Sequence, residues 1–175
     1  TEHSVKNSKW RDGKGDVAVG SPDAAPSGAA GAGRVYVFNG VTGALYDTIS
    51  STDSQADGRF GSSVAGITDI SGDGRGDIII GADNEMVDGA GVTCGQVHVH
   101  SGATGNWIRT LNSTDPESGG DFGFVVASCA DISGDGLPDI IVGAPQEDVS
   151  ATERGRCYKF KGNDGSLIDE FTAPG

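Results

Sequence analysis

The chain has 175 residues, 35% of them hydrophobic, and sets 25 acidic against 12 basic residues for a formal charge of −13. That length holds one domain with a real core, and the acidic balance excludes a nucleic-acid surface, which needs a basic footprint. With 30 Gly, one Met and no apolar run near the roughly 18 residues of a membrane helix, the composition favours many short strands and tight turns.

In chain order, the start Thr1-Glu-His-Ser-Val-Lys6 lacks Met and the features of a signal peptide, and reads as a mature form or an excerpt. The first apolar runs are Val17-Ala-Val-Gly-Ser-Pro22, Gly33-Arg-Val-Tyr-Val-Phe38 and, after the turn Gly40-Val-Thr-Gly43, Leu45-Tyr-Asp-Thr-Ile49. A second set follows: Phe60-Gly-Ser-Ser-Val-Ala65, Ile78-Ile-Ile-Gly-Ala-Asp83, Gly95-Gln-Val-His-Val-His100 and Trp107-Ile-Arg-Thr-Leu111. A third repeats it: Phe122-Gly-Phe-Val-Val-Ala127, Ile140-Ile-Val-Gly-Ala-Pro145, Gly155-Arg-Cys-Tyr-Lys-Phe160 and Leu167-Ile-Asp-Glu-Phe171. Runs of five or six residues rich in Val, Ile and aromatics, separated by Gly turns, predict strands, and no window has a helical period. The Ile78 and Ile140 runs are continuously apolar and predict strands covered on both faces.

Four antiparallel strands recurring every ~60 residues predict β-propeller blades. The expected fold class is all-β, about three consecutive four-stranded blades forming an incomplete or open propeller. Residues 1–50 form blade 1 without its first strand, 51–112 blade 2 and 113–175 blade 3, together one repeat domain.

Ten residues between the first two runs occur almost twice: Asp69-Ile-Ser-Gly-Asp-Gly-Arg-Gly-Asp-Ile78 and Asp131-Ile-Ser-Gly-Asp-Gly-Leu-Pro-Asp-Ile140. Oxygen-bearing side chains at alternating positions of a Gly-rich loop suit Ca²⁺, a hard cation with oxygen ligands. The predicted ligands are Asp69, Ser71, Asp73, the carbonyl of Arg75 and Asp77 at one site. At the other they are Asp131, Ser133, Asp135, the carbonyl of Leu137 and Asp139. An EF-hand is excluded, because position 12 is Ile80 or Val142 inside a strand rather than a Glu. A degenerate third copy, Asp12-Gly-Lys-Gly-Asp16, has Ser8 and Trp10 where the second unit has Asp69 and Ser71; it reads as a vestigial turn. Two bound ions would offset four of the negative charges.

Phe-Gly opening a unit and Gly-Ala-Pro after the acidic loop resemble the FG-GAP repeat of integrin α-subunit propellers and related extracellular proteins. The carriers are Phe60-Gly61 with Gly81-Ala82-Asp83, and Phe122-Gly123 with Gly143-Ala144-Pro145. The resemblance implies Ca²⁺ in the hairpin between the first two strands of a blade, an extracellular or cell-surface setting, and a ring of about seven blades. At this period such a ring needs roughly 430 residues. The expected function is therefore a calcium-binding extracellular module for adhesion, ligand binding or self-assembly, with no catalytic residues. The alternative is an accessory part of an extracellular hydrolase or lyase, since similar repeats accompany such enzymes. Fewer than three complete blades leave apolar faces and strand edges open. Expected partners are thus another protein or further copies, including filaments, and neither nucleic acid nor a membrane span.

Other features read as structural. Arg75-Gly76-Asp77 falls where its Asp serves the loop. His98 and His100 align with the packing positions Tyr36/Phe38 and Tyr158/Phe160. Cys129 and Cys157 lie on non-adjacent strands and read as buried free thiols, with Cys94, in a loop, the more reactive candidate. Asn112-Ser-Thr114 is a glycosylation sequon. The stretches 24–33, 84–91 and 146–153 are candidate contact surfaces.

Overall fold

The computed structural model describes residues 3–9, 14–87, 91–147 and 155–172. Three four-stranded antiparallel sheets follow one another along the chain. The first orders β1 (His3–Lys9), β2 (Gly15–Ser21), β3 (Arg34–Phe38) and β4 (Leu45–Ile49). The second takes β5 (Phe60–Ile67), β6 (Asp77–Ala82), β9 (Gln96–His100) and β10 (Trp107–Leu111), with the small hairpin β7 (Met86–Val87) and β8 (Val92–Thr93) between its middle strands. The third contains β11 (Val125–Cys129), β12 (Asp139–Ala144), β13 (Arg156–Phe160) and β14 (Leu167–Thr172).

One expectation is corrected: the first sheet does not lack its first strand. β1 pairs antiparallel with β2 from His3↔Gly20 to Lys9↔Gly15, with a bulge between Lys6 and Ser8. Its sequence, His-Ser-Val-Lys-Asn-Ser-Lys, carries no apolar alternation, so nothing in the pattern announces a strand. What recruits it is the row of N–H and C=O groups along β2, which are costly to leave unpaired.

The cores lie between sheets. Ala18, Val35, Val37 and Ile49 of the first sheet meet Phe60, Val64, Ile78 and Ile80 of the second. On the other side Ile79, Val97, Val99 and Leu111 meet Phe122, Val126, Ile140, Val142, Tyr158 and Phe160 of the third. Successive residues of β6 thus face opposite cores, as period-2 geometry requires, which explains its uninterrupted apolar run. Phe60 and Phe122 are fully buried. Phe60 packs against His98 and His100 with ring centroids 5.4 and 5.8 Å away; Phe122 does the same against Tyr158 and Phe160 at 5.3 and 6.1 Å. Each ring contributes about 1.5–3 kcal/mol by burial.

The glycine after each Phe lets the two sheets meet backbone to backbone. Gly61 and Gly123 have φ of +89° and +91°. A Cβ on Gly20 would lie 2.0 Å from the carbonyl oxygen of Gly61, and one on Gly81 would lie 2.1 Å from that of Gly123. Close approach therefore demands glycine on both sides of each junction.

Candidate metal centre

The two acidic loops occupy the turns between β5 and β6 and between β11 and β12. Both curl through two left-handed glycines: Gly72 and Gly74 at φ +82° and +83°, Gly134 and Gly136 at +81° and +90°. No heavy atom beyond their chain neighbours lies within 4 Å of an added Cβ at any of the four, so the requirement there is conformational rather than one of space.

The loops share one hydrogen-bond scheme. Asp77, fully buried at the head of β6, accepts the N–H groups of Ile70 and Ser71 on Oδ2, both at 2.9 Å, and that of Gly102 on Oδ1 at 3.2 Å. Asp139 accepts Ile132 and Ser133 at 2.7 Å and Gly162 at 3.2 Å in the same way. Asp69 accepts the N–H of Gly72 at 2.7 Å and of Gly74 at 2.6 Å; Asp131 accepts those of Gly134 at 2.6 Å and Gly136 at 2.8 Å. Ser71 Oγ lies 3.3 Å from both Asp69 and Asp77, and Ser133 Oγ lies 3.3 Å from both Asp131 and Asp139. The seventh residues, Arg75 and Leu137, each donate an N–H to the fifth-position Asp at 2.8 and 2.9 Å.

These bonds set the charge state. Burial pushes the Asp69 carboxyl up, but the N–H groups of Gly74, Gly72 and Asp73 outweigh it and hold its pKa below the usual value. Gly136, then Gly134 and Asp135, hold Asp131 low against a small burial effect. Burial raises Asp77, and the neighbouring Asp73 adds to this against the N–H donors. Each loop thus gathers three carboxylates in a short turn, a concentration of negative charge that a bound cation relieves.

The loops differ in one respect. In the third sheet, carboxylate oxygens of Asp131, Asp135 and Asp139 lie within 4.8 Å of one another. In the second sheet Asp73 Oδ2 instead accepts the hydroxyl of Ser101 at 2.8 Å. An all-oxygen donor set of three carboxylates and a Ser hydroxyl fits a hard divalent cation. In the first unit Asp16 is buried and accepts the N–H of Gly40 at 3.1 Å, and its second oxygen, also buried, has no hydrogen-bond partner among the described residues. Asp12 and Trp10 lie outside the described residues.

Arg75-Gly76-Asp77 does not project, since its carboxylate is fully buried. His98 and His100 are both packed, each 2% exposed. Asn112 of the sequon is exposed and accepts Gln96 Nε2 at 2.9 Å. All three cysteines are free. Cys94 is corrected from a reactive loop thiol to a fully buried one, with its pKa raised first by burial and then by Glu147. Its carbonyl accepts the N–H of Phe122 at 2.7 Å, where the second and third sheets meet.

Two buried acids escaped pattern reading. Glu85 and Glu147 are fully buried at matching positions after β6 and β12. Glu85 meets His98 Nε2 at 2.6 Å; Glu147 accepts the Tyr158 hydroxyl, which also lies 3.0 Å from Ser113 Oγ. Gly58 and Gly120 make room for them, since a Cβ there would come 2.7 Å from each Glu Cγ. The available signal was a Glu four residues after Gly81 and after Gly143, paired with a Gly two residues before each Phe-Gly.

The family profile described as FG-GAP repeat matches residues 11–38, 60–100 and 122–159. Integrin alpha-IIb of Mus musculus is 35% identical over 140 residues, 76% of this chain and 14% of that protein. The Homo sapiens protein is 34% identical over the same length, covering 13% of it. Phosphatidylinositol-glycan-specific phospholipase D of Bos taurus is 29% identical over 164 residues, 86% of this chain and 19% of that protein. The chain therefore spans a small part of these relatives. Among solved structures, the Dos1 propeller superposes with a TM-score of 0.56 at 13% identity, over 95% of this chain and 36% of that one. Rhamnogalacturonan lyase YesW gives 0.53 at 15% identity, over 98% and 35%. Three sheets of matched topology, each pair of sheets joined through a buried Phe-Gly, and three profile matches in step with them place this chain in the FG-GAP repeat family, as a run of open propeller blades related to integrin alpha subunits.

Proposed function

We propose that this chain is a calcium-stabilised extracellular module whose role is adhesion, ligand binding or assembly with a protein partner, without a reaction of its own. The observation that carries it is the convergence of Asp131, Asp135 and Asp139 within 4.8 Å, on a scaffold duplicated in hydrogen-bond detail around Asp69, Asp73 and Asp77. The ligands are Asp69, Ser71, Asp73, the Arg75 carbonyl and Asp77 at one site, and Asp131, Ser133, Asp135, the Leu137 carbonyl and Asp139 at the other. Binding at the first also turns Asp73 away from Ser101. The ion's role is structural: it neutralises clustered carboxylates and fixes the turn entering β6 or β12. Affinities of extracellular calcium modules suggest a Kd of roughly 10⁻⁴–10⁻³ M. Relationship to integrin alpha subunits supports the cell-surface setting and the adhesive role.

The test is calorimetric titration with calcium together with melting curves in calcium and in EDTA. Two sites and a lower melting temperature in EDTA are expected, with Asp73→Ala plus Asp135→Ala abolishing the difference. Identical melting curves with and without the ion refute the reading. A second reading, an accessory part of a hydrolase or lyase, draws on the 29% identity to the bovine phospholipase D. It predicts that the module binds the glycan or lipid headgroup of a linked enzyme's substrate.

A further inference from the structure

We infer that Arg109, on the second sheet, is a positioning residue for the cation site of the third: it holds the turn whose amide fixes Asp139. This rests on the calcium reading proposed above. Arg109 lies half-buried on β10. Its guanidinium reaches across to the third sheet, donating from Nη1 to the carbonyl of Gly162 and from Nη2 to that of Asn163, both at 2.6 Å. The N–H of the same Gly162 donates to Asp139 Oδ1 at 3.2 Å. Gly162 also lies against the acidic loops, since a Cβ there would sit 2.0 Å from Pro138 O and 3.3 Å from Ile70 Cγ2. Pro138 stands between Leu137 and Asp139, two of the proposed ligand residues.

All three sheets share this turn, and the third builds it differently. Asn39, Ser101 and Lys161 open it, donating their N–H groups to the carbonyls of Ala44, Asn106 and Ser166 at 2.8, 2.8 and 2.9 Å. The next residue is each time a glycine whose N–H meets the last Asp of the acidic loop: Gly40 to Asp16 at 3.1 Å, Gly102 to Asp77 and Gly162 to Asp139 at 3.2 Å. In the first two turns the opening side chain also caps the tip. Asn39 Oδ1 accepts the N–H groups of Val41 and Thr42 at 2.9 and 2.7 Å; Ser101 Oγ accepts those of Ala103 and Thr104 at 3.2 and 3.3 Å. A lysine ammonium offers no acceptor, so Lys161 cannot do the same for Asn163 and Asp164. The fork of Arg109 instead holds the third turn from outside, by its carbonyls.

Joining the sheets does not by itself require this arginine. Strand register puts Asp47 of the first sheet in the place of Arg109, since Val37 pairs with Asp47 and Val99 with Arg109. A carboxylate has no donor to give a carbonyl, yet the first and second sheets share a buried core all the same. The arginine goes with the turn that has lost its cap. The sign of its effect on calcium separates positioning from charge. By Coulomb's law a guanidinium beside an acidic loop repels a cation, so removing it should tighten binding. Losing a contact that orients a ligand does the opposite, because such partners are worth about 10–100-fold in metal affinity.

The experiment is calorimetric titration of the full chain with calcium in two backgrounds. Asp73→Ala leaves the third sheet's site to be titrated, and Asp135→Ala leaves the second sheet's. Arg109→Met keeps an unbranched stem beside Gly165 but loses the fork; Arg109→Lys keeps the charge but cannot span two carbonyls. In the Asp73→Ala background Arg109→Met should raise the Kd about tenfold, and Arg109→Lys should stay weakened. In the Asp135→Ala background neither should change it. Amide exchange in EDTA supplies a cation-free readout: the Gly162 N–H should exchange faster in both variants while that of Gly102 does not. Unchanged or tighter binding at the third sheet's site overturns the inference. So does an equal loss at both sites, which would mark a general loosening of the fold, and so does binding restored in full by lysine, which would make charge sufficient. Absence of binding in the Asp73→Ala chain with Arg109 intact refutes the calcium reading at that site, and this inference with it; binding there that ignores Arg109 refutes this inference alone.

Discussion

His100 makes the protein acid-sensitive in a range where ordinary carboxylates stay charged. Its ring is 2% exposed, Nδ1 donates to the carbonyl of Gly105 at 3.0 Å, and Nε2 is buried with no hydrogen-bond partner among the described residues. A second proton would place a charged N–H where no described residue accepts it. Burial, with the neighbouring His98 adding to it, accordingly depresses the pKa to about 4 from 6.5. A depressed folded-state pKa contributes stability that is present above the unfolded value of 6.5 and lost as pH falls toward 4. From these two values the loss is about 2 kcal/mol between pH 7 and pH 5, approaching about 3 kcal/mol below pH 4. For a chain of this size that is roughly 4–8 °C in melting temperature at pH 5. His100→Phe removes the titrating group and installs the residue found at the matching positions, Phe38 and Phe160. Melting temperatures by circular dichroism from pH 7.5 to 5 should fall less in the variant by that amount. The raised pKa values of Asp77, Asp83 and Glu147, set first by burial, act in the opposite direction and are common to both proteins. Parallel pH profiles for wild type and variant would refute the reasoning.

Further expectations concern the junctions and the buried acids. Gly81→Ala drives a methyl into Gly123 O and within 2.3 Å of Ser63 Oγ; overpacking against backbone should cost about 1–3 kcal/mol or more, measured by urea unfolding. Phe122→Ala removes a fully buried ring from the second junction and should cost about 3–5 kcal/mol by the same assay. Tyr158→Phe deprives buried Glu147 of its hydroxyl donor and should lower stability by about 1–3 kcal/mol, read as a drop in melting temperature. Under native conditions a thiol reagent should modify half-buried Cys129 and Cys157 before Cys94, and faster labelling of Cys94 would contradict its burial.

What could be read from the sequence was what repeats in residue type. The Asp69 and Asp131 loops announce themselves because their chemistry needs the same side chains at the same spacing, and the Ile78 and Ile140 runs because both their faces are buried. β1 was invisible because its pairing is made by backbone atoms that any residue carries; the edge of β2 selects it, not its own side chains. Glu85 and Glu147 lay in stretches that looked like solvated loops. Their burial depends on Gly58 and Gly120, far away in sequence, vacating the space. Cys94 looked exposed for a related reason: a loop residue becomes interior only once Phe122 of the next sheet is laid across its carbonyl.

The alternation along β6 ties the fate of two interfaces to one strand. Ile79 belongs to one core and Ile78 and Ile80 to the other, so the middle sheet has no solvent side to retreat to. Local melting there cannot stay local. Loosening this strand strips shielding from both neighbours at once, whereas either outer sheet can fray while the other two stay joined. Damage should spread outward from the centre, and the two flanks should report it together.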